Sequence, residues 1–367
     1  MAVHFAADLS PNPTAAAVEA PADSAPIVEL AHSARDWDDY VSRQPGATLY
    51  HLFAWKTVAE KAYGMRAPFL VARDGPGLPI RGALPLFLVP RPFAPYLTSG
   101  LFGSYGPLLA DEDRHARALI AGAAGRIDDG EAAFLHLKLL GDAPEHAGLS
   151  RHDVWVTAQL DLGTEPEALW TRLRSHMRTK IRQAQRAGLV AEHGPQGLDA
   201  FYEILSENYA RKGAPIYGRR FMQELLDALG SRGDVVLLRH EGRVVSGALV
   251  AWFNRTMVVP FASSRASVFR LHANNLLYWE IARRALDLGL RTLDFGSSLR
   301  DSTGLSFKES WKPRVLPIGS YLYSRGTAVP VLAPADSALA RMAVKIWAHL
   351  PAPVAQVMGP QVCRWIA

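Results

Sequence analysis

Two widely separated stretches of this chain share one pattern. Residues 69–89 read FLVARDGPGLPIRGALPLFLV and residues 235–253 read VVLLRHEGRVVSGALVAWF. Each runs from an apolar strand through an arginine, a polar residue and a glycine turn to a second strand with Gly-Ala-Leu. Arg73 matches Arg239, and Gly82-Ala83-Leu84 matches Gly247-Ala248-Leu249. Apolar runs broken by glycine-bearing turns predict β-hairpins. The segments after the two hairpins come in the same order. A strand is next (107–110, then 257–261), then a helix (114–127, then 274–288) and a further strand (133–139, then 292–295). The interval is far longer than a solenoid period. The pattern predicts one α+β domain, duplicated and diverged.

The second copy ends on an elaboration that the first lacks. Residues 291–311 read RTLDFGSSLRDSTGLSFKESW, where the first copy has only Lys138-Leu139-Leu140-Gly141-Asp142. The pattern predicts a buried strand at 292–295, a break at Gly296, and a polar loop over 297–306 closing on Phe307-Lys308 and Trp311. Glycine permits backbone conformations that a side chain forbids. A loop with Asp301, hydroxyls and a lysine between apolar anchors is a candidate small-molecule site. The bland alternative is ordinary polar filling.

Between the copies, 169–187 reads LWTRLRSHMRTKIRQAQRA. Leu169, Leu173, Met177, Ile181 and Ala184 form one helical face. Arg174, Arg178, Arg182 and Arg186 recur every four residues beside it, and Arg172 and Lys180 bring the cations to six with no acid. Such a stripe repels itself, so a balancing anion, phosphate above all, is one reading. A solvated helix face is the other. Further helices are expected at 35–41, 49–63 (stopped by Gly64), 198–209, 221–229 and 335–350. Strands are expected at 27–30 and 318–323. The Ala/Pro-rich residues 1–26 read as a disordered tail. The 335–350 helix places Leu339, Met342, Ala343, Ile346, Trp347 and Leu350 on one face, expected to pack on the body. Interfacial membrane contact is the alternative.

Bulk numbers exclude several classes. At 367 residues, 49% apolar and 20% charged, the chain can bury a large core without disulfide or metal staples. Cys363 is the one cysteine, which argues for a reducing compartment. The net charge is +5. No secretory leader and no membrane-spanning run is evident, so the expectation is a cytoplasmic protein, at the inner face of the membrane if the C-terminal helix touches lipid. There is no GxxxxGK[ST], no GxSxG and no GxGxxG, since Gly100, Gly103 and Gly106 do not fit it. None of the 12 histidines has HxxxH or HExxH spacing, so no metal is expected, and His51 and His272 read as structural.

The hairpin–strand–helix–strand order resembles a tandem of GNAT-like (acyl-CoA N-acyltransferase-like) domains, with mixed sheets and flanking helices. Ala273-Asn274-Asn275-Leu276-Leu277-Tyr278-Trp279-Glu280, Ala285, Gly289, Leu293-Asp294-Phe295-Gly296, Phe307-Lys308 and Trp311 resemble the FemAB family. So do Arg182 to Gly188 and Arg211-Lys212-Gly213. The resemblance covers residues 27 to 323 and is strongest from 172 onward. The C-terminal helix with Leu350-Pro351 and Gly359-Pro360 is similar to FemAB-like proteins of exopolysaccharide and protein-sorting (PEP-CTERM) systems.

The resemblance implies domains at 27–155 (joined by 318–367) and 156–317, and an aminoacyl or acyl transfer onto an amine. The acceptor would be a nucleotide- or lipid-linked cell-envelope precursor related to peptidoglycan or exopolysaccharide. The donor would be aminoacyl-tRNA or acyl-CoA, with no tightly bound cofactor, and tRNA would then be a partner. Lys308 would steady the oxyanion, with Asp301 as acid/base. Substrate would be held by Arg211, Trp55, Lys56, Tyr217, Asn274, Asn275, Ser297 and Phe307, and phosphate by Arg174, Arg178 and Arg182. Three departures stand out. Lys56 adjoins Trp55 instead of being offset from it. Gly188 leads almost directly into 195–212, leaving no room for the coiled-coil insertion of bridge-forming members. The coenzyme A pyrophosphate loop is replaced by Arg270-Leu-His-Ala273-Asn274-Asn275. The alternatives are an acyl-CoA-dependent GNAT N-acetyltransferase and a non-catalytic module binding anionic glycan or nucleic acid.

Overall fold

The structure is a computed structural model that describes residues 25–326 and 338–365. Almost all of the tail expected at 1–26, and the start of the helix expected at 335, lie outside the described residues. The first half runs β1 (Ile27–Leu30), α1 (Ala34–Arg43), α2 (Ala54–Tyr63), β2 (Leu70–Arg73), β3 (Ile80–Leu84), β4 (Phe87–Val89), β5 (Tyr96–Thr98), β6 (Leu109–Ala110), α3 (Asp113–Asp128), β7 (Phe134–Leu140) and β8 (Ser150–Asp161). The second begins α4 (Pro166–Arg172), α5 (Ser175–Arg186), β9 (Val190–His193), α6 (Leu198–Arg211) and α7 (Arg219–Leu229). It continues β10 (Gly233–His240), β11 (Arg243–Phe253), β12 (Thr256–Ser264), α8 (Ala273–Asp287), β13 (Thr292–Leu299), α9 (Thr303–Glu309) and β14 (Arg314–Ser324). Two helices close the chain, α10 (Ala338–Ala348) and α11 (Ala352–Cys363).

Both halves are α+β, and they share one sheet. Its ten strands are ordered β4-β5-β7-β14-β8-β13-β12-β11-β10-β9, and β1-β2-β3-β6 form a second, small sheet. Two strand pairs of the large sheet, β5–β7 and β12–β13, are parallel. A parallel pair needs a crossover connection, and α3 and α8 supply it. The last strand of each half is exchanged. β8 pairs with β13 of the second half, and β14 pairs with β7 of the first. β8 and β14 then pair with each other, so the sheet is continuous across the junction. This is the tandem GNAT-like architecture.

Several expectations are corrected. The first-half counterpart of β12 is β5, not the strand expected at 107–110, because β5 is the parallel neighbour of β7. Residues 109–110 pair instead with β3. A three-residue strand between Pro95 and Gly100 is too short to show alternation. The Gly-Ala-Leu match is also out of step. Ala83 packs on the α1–α2 side and Leu84 packs with Leu119 and Ile120 of the crossover helix α3. In the second half Ala248 packs with the crossover helix α8, and Leu249 faces away from it. A one-residue offset swaps the faces of a strand, so the topology repeats although these letters do not.

Two expected helices are each broken. In 49–63, a 3-10 turn at Leu49–His51 precedes α2, with Leu52 extended between them. His51 fixes the turn: its Nδ1 accepts from the Thr48 N–H, and Nε2 bonds the Pro107 carbonyl at 2.9 Å. Burial lowers its pKa to about 4, so the imidazole is neutral. The basic helix breaks at Leu173–Arg174, both extended in ψ. Arg178 Nη1 donates to the carbonyls of Trp170, Thr171 and Leu173 at 3.4, 3.0 and 3.1 Å. Arg182 lies over the Trp170 ring at 5.3 Å. Two of the stripe's cations thus close the break. The loop expected at 297–306 is also partly regular, since β13 runs on to Leu299 and α9 starts at Thr303. On α10, Met342 and Ile346 are 54% and 59% exposed, so part of the apolar face expected to pack on the body is open, while Trp347 meets α6.

The junction is tied together at Asp294. This buried carboxylate accepts from Tyr105 Oη at 2.6 Å, Thr157 Oγ1 at 2.7 Å, Gln159 Nε2 at 3.0 Å and the Gly296 N–H at 2.8 Å. Tyr105 comes from the first half, and Thr157 and Gln159 from the exchanged β8. A hydrogen bond to a charged group contributes about 1.5–3 kcal/mol. Tyr105→Phe is therefore expected to lower unfolding free energy by that amount in urea denaturation. Wild-type stability would show that the tyrosine does not hold the halves together.

Candidate active site

The sheet opens beside this carboxylate. Parallel pairing of β12 with β13 runs through Thr256–Thr292, Met257–Leu293 and Val258–Asp294, and ends there. Beyond it both strands lose register with their outer neighbours. On β12, Val258 faces Ala251 but Phe261 faces Leu249, which leaves Val259 and Pro260 in a bulge. On β13 the irregularity against β8 lies between Asp294 and Ser297. Gly296 has φ +75°, and a Cβ there would stand 3.1 Å from the Val259 carbonyl oxygen. A left-handed residue this close to a neighbouring strand has to be glycine.

A pocket of about 310 Å³ occupies the opening. Pro260, Phe261 and Ser297 line it from the splayed strands, and Tyr209 and Tyr217 from the α6–α7 region. The first half supplies Phe102, Gly103, Tyr105 and Lys138, with Trp155 and Ile318 from the exchanged strands. Phe102, Tyr217 and Phe261 form a cluster, with Tyr217 at 4.8 Å from Phe102 and 5.1 Å from Phe261 between ring centroids. Burial holds the phenols of Tyr217 and Tyr105 well above their usual pKa, so both are neutral donors.

One amine, Lys138, lines this space, and a second, Lys308, holds the backbone of its Ser297 wall. Lys308, on α9, donates from Nζ to the carbonyls of Gly296 at 2.7 Å and Ser297 at 3.2 Å. It therefore grips the backbone where β13 leaves the parallel pair. Ser302 places α9 by accepting from the Leu305 N–H at 3.2 Å as its N-cap. Burial lowers the Lys308 pKa to about 8. Lys138 lines the pocket and donates from Nζ to the Gly100 carbonyl at 2.9 Å, and burial lowers it likewise to about 8. The neighbouring His136 is held neutral, its pKa lowered to about 3 by burial and by Lys138. An ammonium in a desolvated pocket is a strong partner for a developing or fixed negative charge.

Of the residues expected from sequence, the structure brings Tyr217, Ser297 and Lys308 to this opening. Ser297 Oγ donates to the Gly103 carbonyl at 3.0 Å, clasping the first half. The others lie elsewhere. Asp301 is exposed on the turn between β13 and α9. Arg211 is exposed, bonded to Asn208 Oδ1 at 2.7 Å and placed 5.9 Å over the Phe269 ring. Lys56 pairs with Glu60 at 2.7 Å and the Ala67 carbonyl at 2.6 Å. Trp55 is buried and donates to the Leu49 carbonyl at 3.1 Å. Phe307 packs on Tyr278, 5.3 Å between centroids. Arg174 is exposed at the start of α5. Asn275 is buried and donates to Met177 Sδ at 3.4 Å.

The turn before α8 is where a pyrophosphate would meet a helix N-terminus. There His272 takes a left-handed φ of 56°, and Asn274 folds back to accept from Ser264 Oγ. Sequence reasoning missed Lys138, Tyr105, Trp155 and Phe261. A lysine inside the apolar run Phe134–Leu140 was the available signal, since Lys is seldom buried without a task. Among the described residues no group of three His, Cys, Asp or Glu could hold a metal. Cys363 is buried, its thiol pushed up to about 12.

A family model described as an acetyltransferase (GNAT) domain matches residues 171–308. No curated protein matches the sequence. Among solved structures, that of FemX superposes with a TM-score of 0.65 at 16% identity, covering 81% of this chain and 97% of its own. The C-terminal domain of a putative lysylphosphatidylglycerol synthetase from Agrobacterium fabrum gives 0.56 at 14% identity, with 85% and 96% coverage. A tandem GNAT protein from the clavulanic acid biosynthesis pathway gives 0.54 at 13%, with 83% and 99% coverage. At such identities the likeness is one of fold: tandem GNAT-like domains with a GNAT match in the second.

The lysines set a pH dependence. The pKa of Lys138 falls from 10.5 to about 8 in the folded protein. Between these values the unfolded chain holds more protons, so this residue's contribution to stability rises with pH. Lys138→Met is expected to be more stable than wild type at neutral pH, with an advantage that shrinks toward pH about 10. Urea titrations at several pH values read this, and a pH-independent difference would contradict it.

Proposed function

We propose that the protein is an N-acyltransferase that moves an aminoacyl or acyl group onto an amine of a cell-envelope precursor, nucleotide- or lipid-linked and related to peptidoglycan or exopolysaccharide. The observation that carries this is the opening between β12 and β13, lined from both halves and by Lys138, with Lys308 holding the 296–297 backbone beside it. The donor's carbonyl would lie at the opening, and the acceptor would reach it along the aromatic wall of Phe102, Tyr105 and Tyr217. Attack by the amine on the ester or thioester carbon forms a C–N bond and a tetrahedral oxyanion. Collapse then expels the alkoxide or thiolate, which takes up the amine's proton. Protonated Lys308, held at the backbone of 296–297, is assigned to the oxyanion or to the donor's leaving group. Asp301 is the secondary acid/base candidate, and the geometry gives Lys308 the stronger claim. The likeness to FemX and to a putative lysylphosphatidylglycerol synthetase domain favours an envelope acceptor, and aminoacyl-tRNA as donor rests on the FemAB resemblance of the sequence. PEP-CTERM-linked exopolysaccharide precursors belong to the same proposal.

Acyl-CoA as donor is the second reading, favoured by the GNAT match over 171–308. Against it, the turn before α8 carries His272, Asn274 and Asn275 in place of small residues, and Asn274 is tied to Ser264. A non-catalytic anion-binding module is the third. The basic stripe that suggested it is partly consumed by the α4–α5 break, where Arg178 and Arg182 are engaged.

Transfer is tested by incubating envelope-precursor amines with labelled aminoacyl-tRNA or acyl-CoA and reading the mass shift of the acceptor. Lys308→Ala is expected to lower turnover by about 100-fold or more while the protein stays folded. An equally active variant would remove Lys308 from the chemistry. Because the Lys308 pKa lies at about 8, the cation is present below that pH and lost above it. The wild-type rate should therefore fall as pH rises through about 8, and Lys308→Arg should move that limb upward. An unmoved limb would assign it to another group.

A further inference from the structure

The C-terminal helices carry a surface that acyl transfer does not use. Both lie on α6. Trp347 of α10 and Ala355 and Gln356 of α11 share a pocket with Tyr209 and Ala210. Along α11, Ala355, Gly359 and Cys363 are buried at four-residue spacing. Met342 and Ile346 on α10, and Val357 (75% exposed) and Met358 on α11, are exposed apolar residues, with Lys345, His349, Gln356 and Gln361 exposed on or just beyond the same helices. Exposed apolar side chains on these two helices mark a candidate docking surface.

Charge says what docks there. From 337 to 367 the chain has no acidic residue, and it carries Arg341, Lys345 and Arg364. On the described side chains of α10 and α11 and the residue that follows, the charges are cationic, Lys345 and Arg364, and the nearby acids Glu203 and Glu207 are paired with Arg265, so the face suits an anionic lipid surface better than a protein partner. A pocket of about 570 Å³ opens beside Val357 and is lined by Arg219, Arg220 and Arg364. Arg219 is paired with Asp199, and Arg220 lies 3.7 Å from Glu224. Arg364 Nε is shielded from solvent and has no hydrogen-bond partner among the described residues. Its guanidinium is therefore the least engaged of the three that line the pocket and the one left for a phosphate.

We propose that α10 and α11 seat the protein on an anionic phospholipid membrane. Val357, Met358 and Ile346 enter the acyl boundary, and the arginine pocket takes a lipid phosphate. This is independent of the acyltransferase reading, because the surface lies outside the β12–β13 opening, and either can fail alone.

The test is co-sedimentation of the full chain with vesicles of phosphatidylcholine, with and without phosphatidylglycerol, at low salt. Binding is expected to be at least about tenfold tighter to the phosphatidylglycerol vesicles. Val357→Asp with Met358→Asp, both exposed, should weaken it about tenfold or more with an unchanged melting temperature. Lys345→Glu should weaken it by about fivefold or more. The proposal is overturned if wild type fails to bind, binds both vesicles equally, or binds no better than the double variant. It is also overturned if sedimentation velocity finds a dimer that the double variant converts to monomer, which would assign the surface to a second copy.

Discussion

Four donors from three segments converge on the Asp294 carboxylate, and the junction between the halves is built around it. A buried carboxylate is costly unless its lone pairs are satisfied. Here the donors are Tyr105 from the first half, Thr157 and Gln159 from the exchanged β8, and the Gly296 N–H. Satisfying Asp294 thus requires both halves and the strand exchange. It also takes the Gly296 N–H out of the strand ladder. Gly296 can turn because it has no Cβ to strike Val259. The charge buried at the junction and the opening beside it therefore have one cause.

The opening is a place of few backbone partners, and side chains from both halves finish it. Lys308 fixes the carbonyls of 296 and 297, and Lys138 lines the opening from β7. Both are held near pH 8 by burial, so each can serve as a cation at neutral pH and lose the proton slightly above it. The Ser297 clasp on Gly103 fastens the first-half loop to the same strand. Such a site can neutralise charge that appears during acyl transfer without reorganising solvent.

The duplicated topology was legible in the sequence because hairpins and amphipathic helices announce themselves by period. The details that place the site were not. β5 has three residues and no period to read, so its role went to 107–110. The Gly-Ala-Leu match aligned letters that face opposite sides of the sheet. The 169–187 helix looked continuous because the break at Leu173–Arg174 has no glycine or proline, and Arg178 closes it through space. Lys308, Ser297 and Tyr217 were reachable because motif and resemblance pointed to them. Asp294 was legible only as part of a strand motif. Its side-chain partners are 135 to 189 residues away in sequence, a distance no local pattern spans. Lys138, a lone cation in an apolar strand, carried a local signal, but its neighbours across the opening come from the other half of the chain.

Acyl transfer at this junction requires the donor's carbonyl to sit in the opening between β12 and β13. A crystal structure with a non-hydrolysable acyl-donor analogue tests that directly. The carbonyl analogue should lie between Phe261 and Ser297, on the side where Lys308 holds β13. An analogue bound on the basic face of α5 with the opening empty would contradict it.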